Sequence, residues 1–138
     1  MKTKHVVLGL ALAALALPAA AQPPQAPRPP AFTHTLPNVP GKSLIAVEVN
    51  YAPGQASGPH RHAKSAFIMA YVISGAIVSQ VEGQPERTYR AGESWFENPG
   101  DHHVVSRNAS ATEPAKMLAV FVVDSTDTTL TTPDPRPN

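Results

Sequence analysis

Hydrophobic and polar positions alternate with a period of two over much of this chain. Ile45, Val47, Val49 and Tyr51 alternate with Leu44, Ala46, Glu48 and Asn50, the pattern of a strand with one face toward a core. Ala66 to Ser74 and Ala76 to Glu82 are β-rich runs on either side of Gly75. Glu82-Gly83-Gln84-Pro85 reads as a turn. Arg87 to Arg90, Ser94 to Glu97 and His102 to Ser106 are short strand candidates, and Lys116 to Asp124 reads as a buried strand. Gly54, Gly58, Gly75, Gly83, Gly92 and Gly100 punctuate the series. No helical period of useful length follows the first 21 residues. Short strands separated by Gly and Pro turns predict an all-β antiparallel sandwich or barrel.

The two ends differ from this pattern. Lys2, Lys4 and His5 precede an apolar run from Val6 to Leu17, with Ala19-Ala20-Ala21 behind it. The run is too short to span a bilayer as a helix, and the arrangement is that of a signal peptide, residues 1–21, cleaved before Gln22. A periplasmic or secreted location follows. Seven prolines between Gln22 and Pro40 predict an extended spacer over 22–40. Pro133, Pro135 and Pro137 extend the same reading to a disordered tail over 126–138. The expected folded domain is 41–125.

Loss of the two signal lysines turns the net charge of +1 into −1, with 9 Lys and Arg against 10 Asp and Glu. No basic cluster suggests a nucleic-acid partner, and no later stretch is apolar enough for a membrane span. Cysteine is absent. An exported domain without disulfides depends on its core, on a metal or on a second subunit.

The candidate chemistry lies in His60-Arg61-His62 and in His103, which follows Pro99-Gly100. In a strand, positions i and i+2 share a face, so both imidazoles of the pair reach one point while Arg61 turns away. Neutral imidazole is the commonest ligand for transition metals. A lone His-x-His is usually an ordinary polar pair on a loop. Here Gly54 precedes it at a fixed interval, and a second motif follows.

These residues resemble the cupin family of small jelly-roll barrels. The family's first motif runs Gly, five residues, His-x-His, three or four residues, Glu, six residues, Gly. Gly54, His60, His62 and the closing Gly75 match it, with a slightly longer interval between His62 and Gly75. The second motif runs Gly, five residues, Pro-x-Gly, two residues, His, three residues, Asn. Gly92, Asn98-Pro99-Gly100, His103 and Asn108 follow it with one-residue shifts. The spacing from Gly100 selects His103 over His102. The resemblance implies a cupin-type barrel, a homodimer, and a site in which His60, His62 and His103 hold a divalent transition metal: iron, manganese, zinc or nickel.

One departure is specific. The family's Glu would fall at Ala66, Phe67 or Ile68, and no Asp or Glu lies between Glu48 and Glu82. Three neutral imidazoles would leave the ion's charge uncompensated and favour an anionic chelating ligand such as an enolate or carboxylate. Glu48, Glu82 and Glu97 are the acids available elsewhere, each read by default as a solvated strand face or turn. Phe67, Met69, Tyr71, Trp95 and Phe121 are candidates to line a cavity, with Gln80 and Lys64-Ser65 nearby. Arg87, Arg90 and Arg107 are candidates to orient an acidic substrate, although a surface position is their ordinary reading. The leading functional reading is a metal-dependent small-molecule enzyme of dioxygenase or isomerase type. The alternatives are a non-catalytic cupin that binds a small ligand or metal, and a barrel without metal.

Overall fold

The computed structural model describes residues 29–135. The signal-peptide expectation and much of the spacer lie outside that range. Eleven strands run β1 (Phe32–Thr35), β2 (Lys42–Tyr51), β3 (Ala56–Ser57), β4 (His60–His62), β5 (Phe67–Ser74), β6 (Ala76–Val81), β7 (Arg87–Arg90), β8 (Ser94–Glu97), β9 (His102–Asn108), β10 (Ala115–Asp124) and β11 (Thr131–Pro133). One antiparallel sheet has the order β1-β2-β10-β5-β8. The other has the order β11-β4-β9-β6-β7, with β3 also on β9. Consecutive strands switch repeatedly between sheets, which is the all-β jelly-roll architecture expected.

Gly75 makes one such switch, from β5 to β6. Its φ is +69°, and a Cβ there would lie 2.7 Å from the Pro114 carbonyl and 2.9 Å from Ala115 Cβ. A residue with a side chain fits neither that backbone nor that space. The corner passes the chain from the first sheet to the second.

The interior divides into two apolar groups. Tyr51, Ala70, Val72, Ile77, Trp95, Ala115 and Met117 form one. Ala66, Ile68, Ala119, Phe121 and Val123 form the other. Each large side chain buried this way contributes on the order of 1.5–3 kcal/mol. Strand β10 supplies both groups from one face, its residues alternating buried and half-buried. It is therefore a one-sided strand, not one buried on both faces.

The folded domain extends beyond 41–125 at both ends. Phe32–Thr35, inside the expected spacer, pairs with β2, and Thr131–Pro133, inside the expected disordered tail, pairs with β4. Pro133 is tolerated because β11 lies at a sheet edge, where a missing N–H leaves no central ladder bond open. Leu130 packs against the second apolar group and anchors the tail.

Candidate metal centre

Strand β4 is short, yet its alternation places the pair as expected. His60 and His62 are half-buried while Arg61 is exposed and reaches Glu82 at 3.8 Å. His60 is the direct cross-strand partner of His103 on β9, and Arg61 of His102. Partners across an antiparallel pair share a face, so His103 joins the inward pair and His102 joins Arg61 outside. His102 there contacts Asp134 Oδ2 at 2.8 Å and Glu82 Oε2 at 3.5 Å.

The ring centroid of His60 lies 4.8 Å from that of His62 and 5.0 Å from that of His103. One nitrogen from each ring lies within 4.8 Å of the other two. The cluster sits at the seam of the two apolar groups, His62 against Phe121 at 5.4 Å and His103 against Trp95 at 6.3 Å.

The outer nitrogens are committed. His60 Nδ1 bonds the Gly58 carbonyl at 2.8 Å, and His62 Nδ1 lies 3.2 Å from both the Leu130 carbonyl and Thr131 Oγ1. A carbonyl only accepts, so Nδ1 carries the proton in each ring and Nε2 presents a lone pair inward. His103 Nε2 bonds Ser79 Oγ at 2.9 Å, leaving Nδ1 toward the cluster. Burial lowers the His103 pKa to about 4, against the pull of Glu97, with His60 and His62 acting in the same sense as burial. His60 is also lowered, mainly by burial. Neutral rings at ordinary pH are what a metal ligand requires.

A fourth group stands among them. Glu97 on β8 is 2% exposed, with Oε2 3.3 Å from His62 Nε2 and Oε1 3.2 Å from His103 Nδ1. Trp95 Nε1 donates to Oε1 at 3.2 Å. Burial alone would raise its pKa; the His62 contact, the His103 and His62 charges and the Trp95 bond together bring it below the ordinary value. The default reading of Glu97 as a solvated residue is therefore corrected. The available signal was the alternation Ser94-Trp95-Phe96-Glu97, which puts Glu97 on the same face as a core tryptophan. Glu48 and Glu82 are exposed, and Glu48 pairs with Lys116 at 3.2 Å.

The other candidates separate by face. Trp95 and Phe121 point inward, whereas Phe67, Met69 and Tyr71 are exposed on the outer side of β5 and line no interior cavity. Arg87, Arg90 and Arg107 are exposed, and Arg107 pairs with Glu86 at 3.1 Å. Gln80 bonds the Gln84 carbonyl in its own turn. Ser65 Oγ donates to Asp127 and accepts from the Asp124 N–H, fastening the tail. A groove of about 880 Å³ runs past His62 between Arg61, Lys64, Pro99, Thr132 and Asp134.

Cupin domain is the family description that matches, over residues 47–121. No curated protein matches the sequence. Among solved structures, an oxalate oxidase in complex with the substrate analogue glycolate is 28% identical, with a TM-score of 0.52, over 60% of this chain and 42% of its own. The chain thus spans about two fifths to one half of the length of the oxalate oxidases it matches. The protein TT1209 from Thermus thermophilus is 26% identical, with a TM-score of 0.54, over 69% of this chain and 80% of its own. The DMSP lyase DddQ from Ruegeria pomeroyi shares the fold at 24% identity and a TM-score of 0.55, over 67% of this chain and 45% of its own. With more than half its length matched and three histidines converging inside the barrel, this chain belongs to the cupin family.

Proposed function

We propose that this chain is an exported, metal-dependent cupin acting on a small oxygen-rich anion, with His60, His62 and His103 as ligands of one divalent transition metal. The observation that carries the reading is the convergence of three imidazoles whose free nitrogens lie within 4.8 Å of one another. A bound metal would supply Lewis acidity to a carbonyl or carboxylate oxygen, or oxygen activation if it is iron. The chain's own part is to fix each ring, to keep His60 and His103 neutral at ordinary pH and to admit the ligand. Lys64 lines the groove beside His62 and suits a carboxylate or enolate. The oxalate oxidase similar to this chain holds glycolate, which supports a small carboxylate as the ligand class.

Two further parts of the reading are export, by cleavage before Gln22, and a homodimer. Phe67, Met69, Tyr71, Ile73 and Phe96 make an outer stripe of β5 and β8, each 37–56% exposed. Together they expose on the order of 400 Å² of largely apolar surface, about half of what each partner buries in a stable dimer. A second copy stacked face to face by a two-fold axis would supply the rest from the rim.

One observation favours the non-catalytic alternative: Glu97 is the only acid or base other than the histidines in contact with the cluster among the described residues. Elemental analysis of untagged mature protein tests the metal reading, beside a His60→Ala/His62→Ala/His103→Ala variant. Near one metal per chain, lost in the variant, is the expected result. No metal in the wild type after reconstitution with iron, manganese, nickel and zinc overturns it. Oxygen uptake or turnover on small carboxylates and dicarbonyls then separates enzyme from binding module.

A further inference from the structure

The family's carboxylate is missing from β5, where the nearest inward position is Ile68, 1% exposed. Ile68 and Glu97 are direct Cα partners across the β5–β8 pairing. Directly opposed side chains lie on one face with Cβ atoms about 4.5–5.5 Å apart. A carboxylate at Glu97 therefore starts one strand to the side of the expected place and reaches the same interior space.

Its local chemistry needs a cation. His62 Nδ1 carries the proton, because the Leu130 carbonyl can only accept. His62 Nε2 and Glu97 Oε2 then face each other at 3.3 Å as two lone-pair donors. Oε2 is buried and has no hydrogen-bond partner among the described residues. A buried carboxylate oxygen left in that state is costly. Ligand atoms about 2.0–2.2 Å from a metal stand about 2.8–3.6 Å apart along the edges of an octahedral or tetrahedral coordination shell. The 3.3 Å contact of Oε2 with His62 Nε2 falls in that range; the 3.2 Å contact with His103 Nδ1 is made by the other oxygen, Oε1.

We propose that Glu97 is the fourth protein ligand, a carboxylate relocated from β5 to β8 across one strand pairing. The inference rests on the three-histidine reading and deepens it. The occupied site carries one compensating negative charge. Trp95, donating to Oε1, turns Oε2 toward the ion.

The test is metal affinity and Co(II) absorption in wild type, Glu97→Gln, Glu97→Asp and the exchange Ile68→Glu/Glu97→Ile, each checked for folding by circular dichroism. The expected result is a loss of affinity of about 100-fold in Glu97→Gln, at or beyond the upper end of what an outer-shell partner costs, with an altered Co(II) band. Glu97→Asp, charged but shorter, shifts the band as well and serves if Glu97→Gln fails to fold. The exchange variant recovers affinity to within about tenfold of wild type, since it only moves the acid back across the pairing. Wild-type protein that binds no Co(II) or zinc overturns the three-histidine reading itself. Wild-type binding with an unchanged band in Glu97→Gln and Glu97→Asp, whatever the affinity, overturns Glu97 as a ligand and leaves it an outer acceptor.

Discussion

Acidifying the metal-free protein probes the electrostatics of the cluster without any substrate. His103 is 3% exposed, and burial is the main reason its pKa falls from 6.5 to about 4. In the unfolded chain the same ring titrates near 6.5, so the unfolded chain takes up the proton first. Stability from this ring is full above about pH 6.5 and declines as pH falls toward 4. Each pKa unit is worth about 1.36 kcal/mol, so the decline reaches about 3 kcal/mol. His60, lowered mainly by burial, acts in the same direction. Glu97 has a net lowered pKa, so its contribution is lost only at lower pH, below the ordinary carboxylate range. Urea unfolding of chelator-stripped protein between about pH 7 and pH 4.5 measures the effect. A His103→Gln variant, which cannot titrate, gives the shallower slope. An unfolding midpoint unchanged over that interval, or an equal slope in the variant, refutes the assignment of a neutral buried His103.

Gly75→Ala should cost more than about 2 kcal/mol, from the left-handed backbone penalty and the contact with the Pro114 carbonyl. Gly83→Ala, with similar φ and nothing within 4 Å, should cost only the backbone part; equal losses in thermal melts would contradict this account. Ser79→Ala removes the bond to His103 Nε2 and should lower stability by about 1 kcal/mol and metal affinity by about tenfold, read by chelator competition. Deleting residues 130–138 removes both partners of His62 Nδ1 and should weaken metal binding by about 10- to 100-fold; undiminished affinity would mean the tail does not orient that ring. On the proposed dimer, wild type should sediment as a dimer in analytical ultracentrifugation and Tyr71→Lys with Phe96→Lys as a monomer; an unchanged dimer would place the contact elsewhere, and a monomeric wild type would overturn the dimer.

The strands around the core were legible as β-rich runs bounded by glycine or proline turns, with one-sided alternation in β5, β8 and β10. The edge strands were not. Phe32–Thr35 and Thr131–Pro133 are exposed throughout, so no buried face imposes a pattern on them, and the prolines in and around them argued for coil. His60, His62 and His103 were legible because alternation and fixed turns set their faces locally. Glu97 read as a solvated residue for a topological reason: the pairing that brings it inside joins β5 to β8, 29 positions apart at Ile68 and Glu97. Phe67, Met69 and Tyr71 were credited to the interior by residue type, although Ile68, Ala70 and Val72 occupy the inward positions.

Strand β11 has a kinetic consequence. Its three residues lie at a sheet edge, and short edge segments open at a free energy well below that of global unfolding. The adjoining Leu130 carbonyl is a partner of His62 Nδ1. Fraying of the tail and release of that imidazole are thus one event. With His62 as a ligand, as proposed, the exchange rate of a bound metal would be set by the opening of the tail, while the barrel stays closed. Removal of metal by excess chelator should proceed at the rate at which the amides of residues 130–134 exchange with solvent, and a release rate that tracks global unfolding instead would disprove the link.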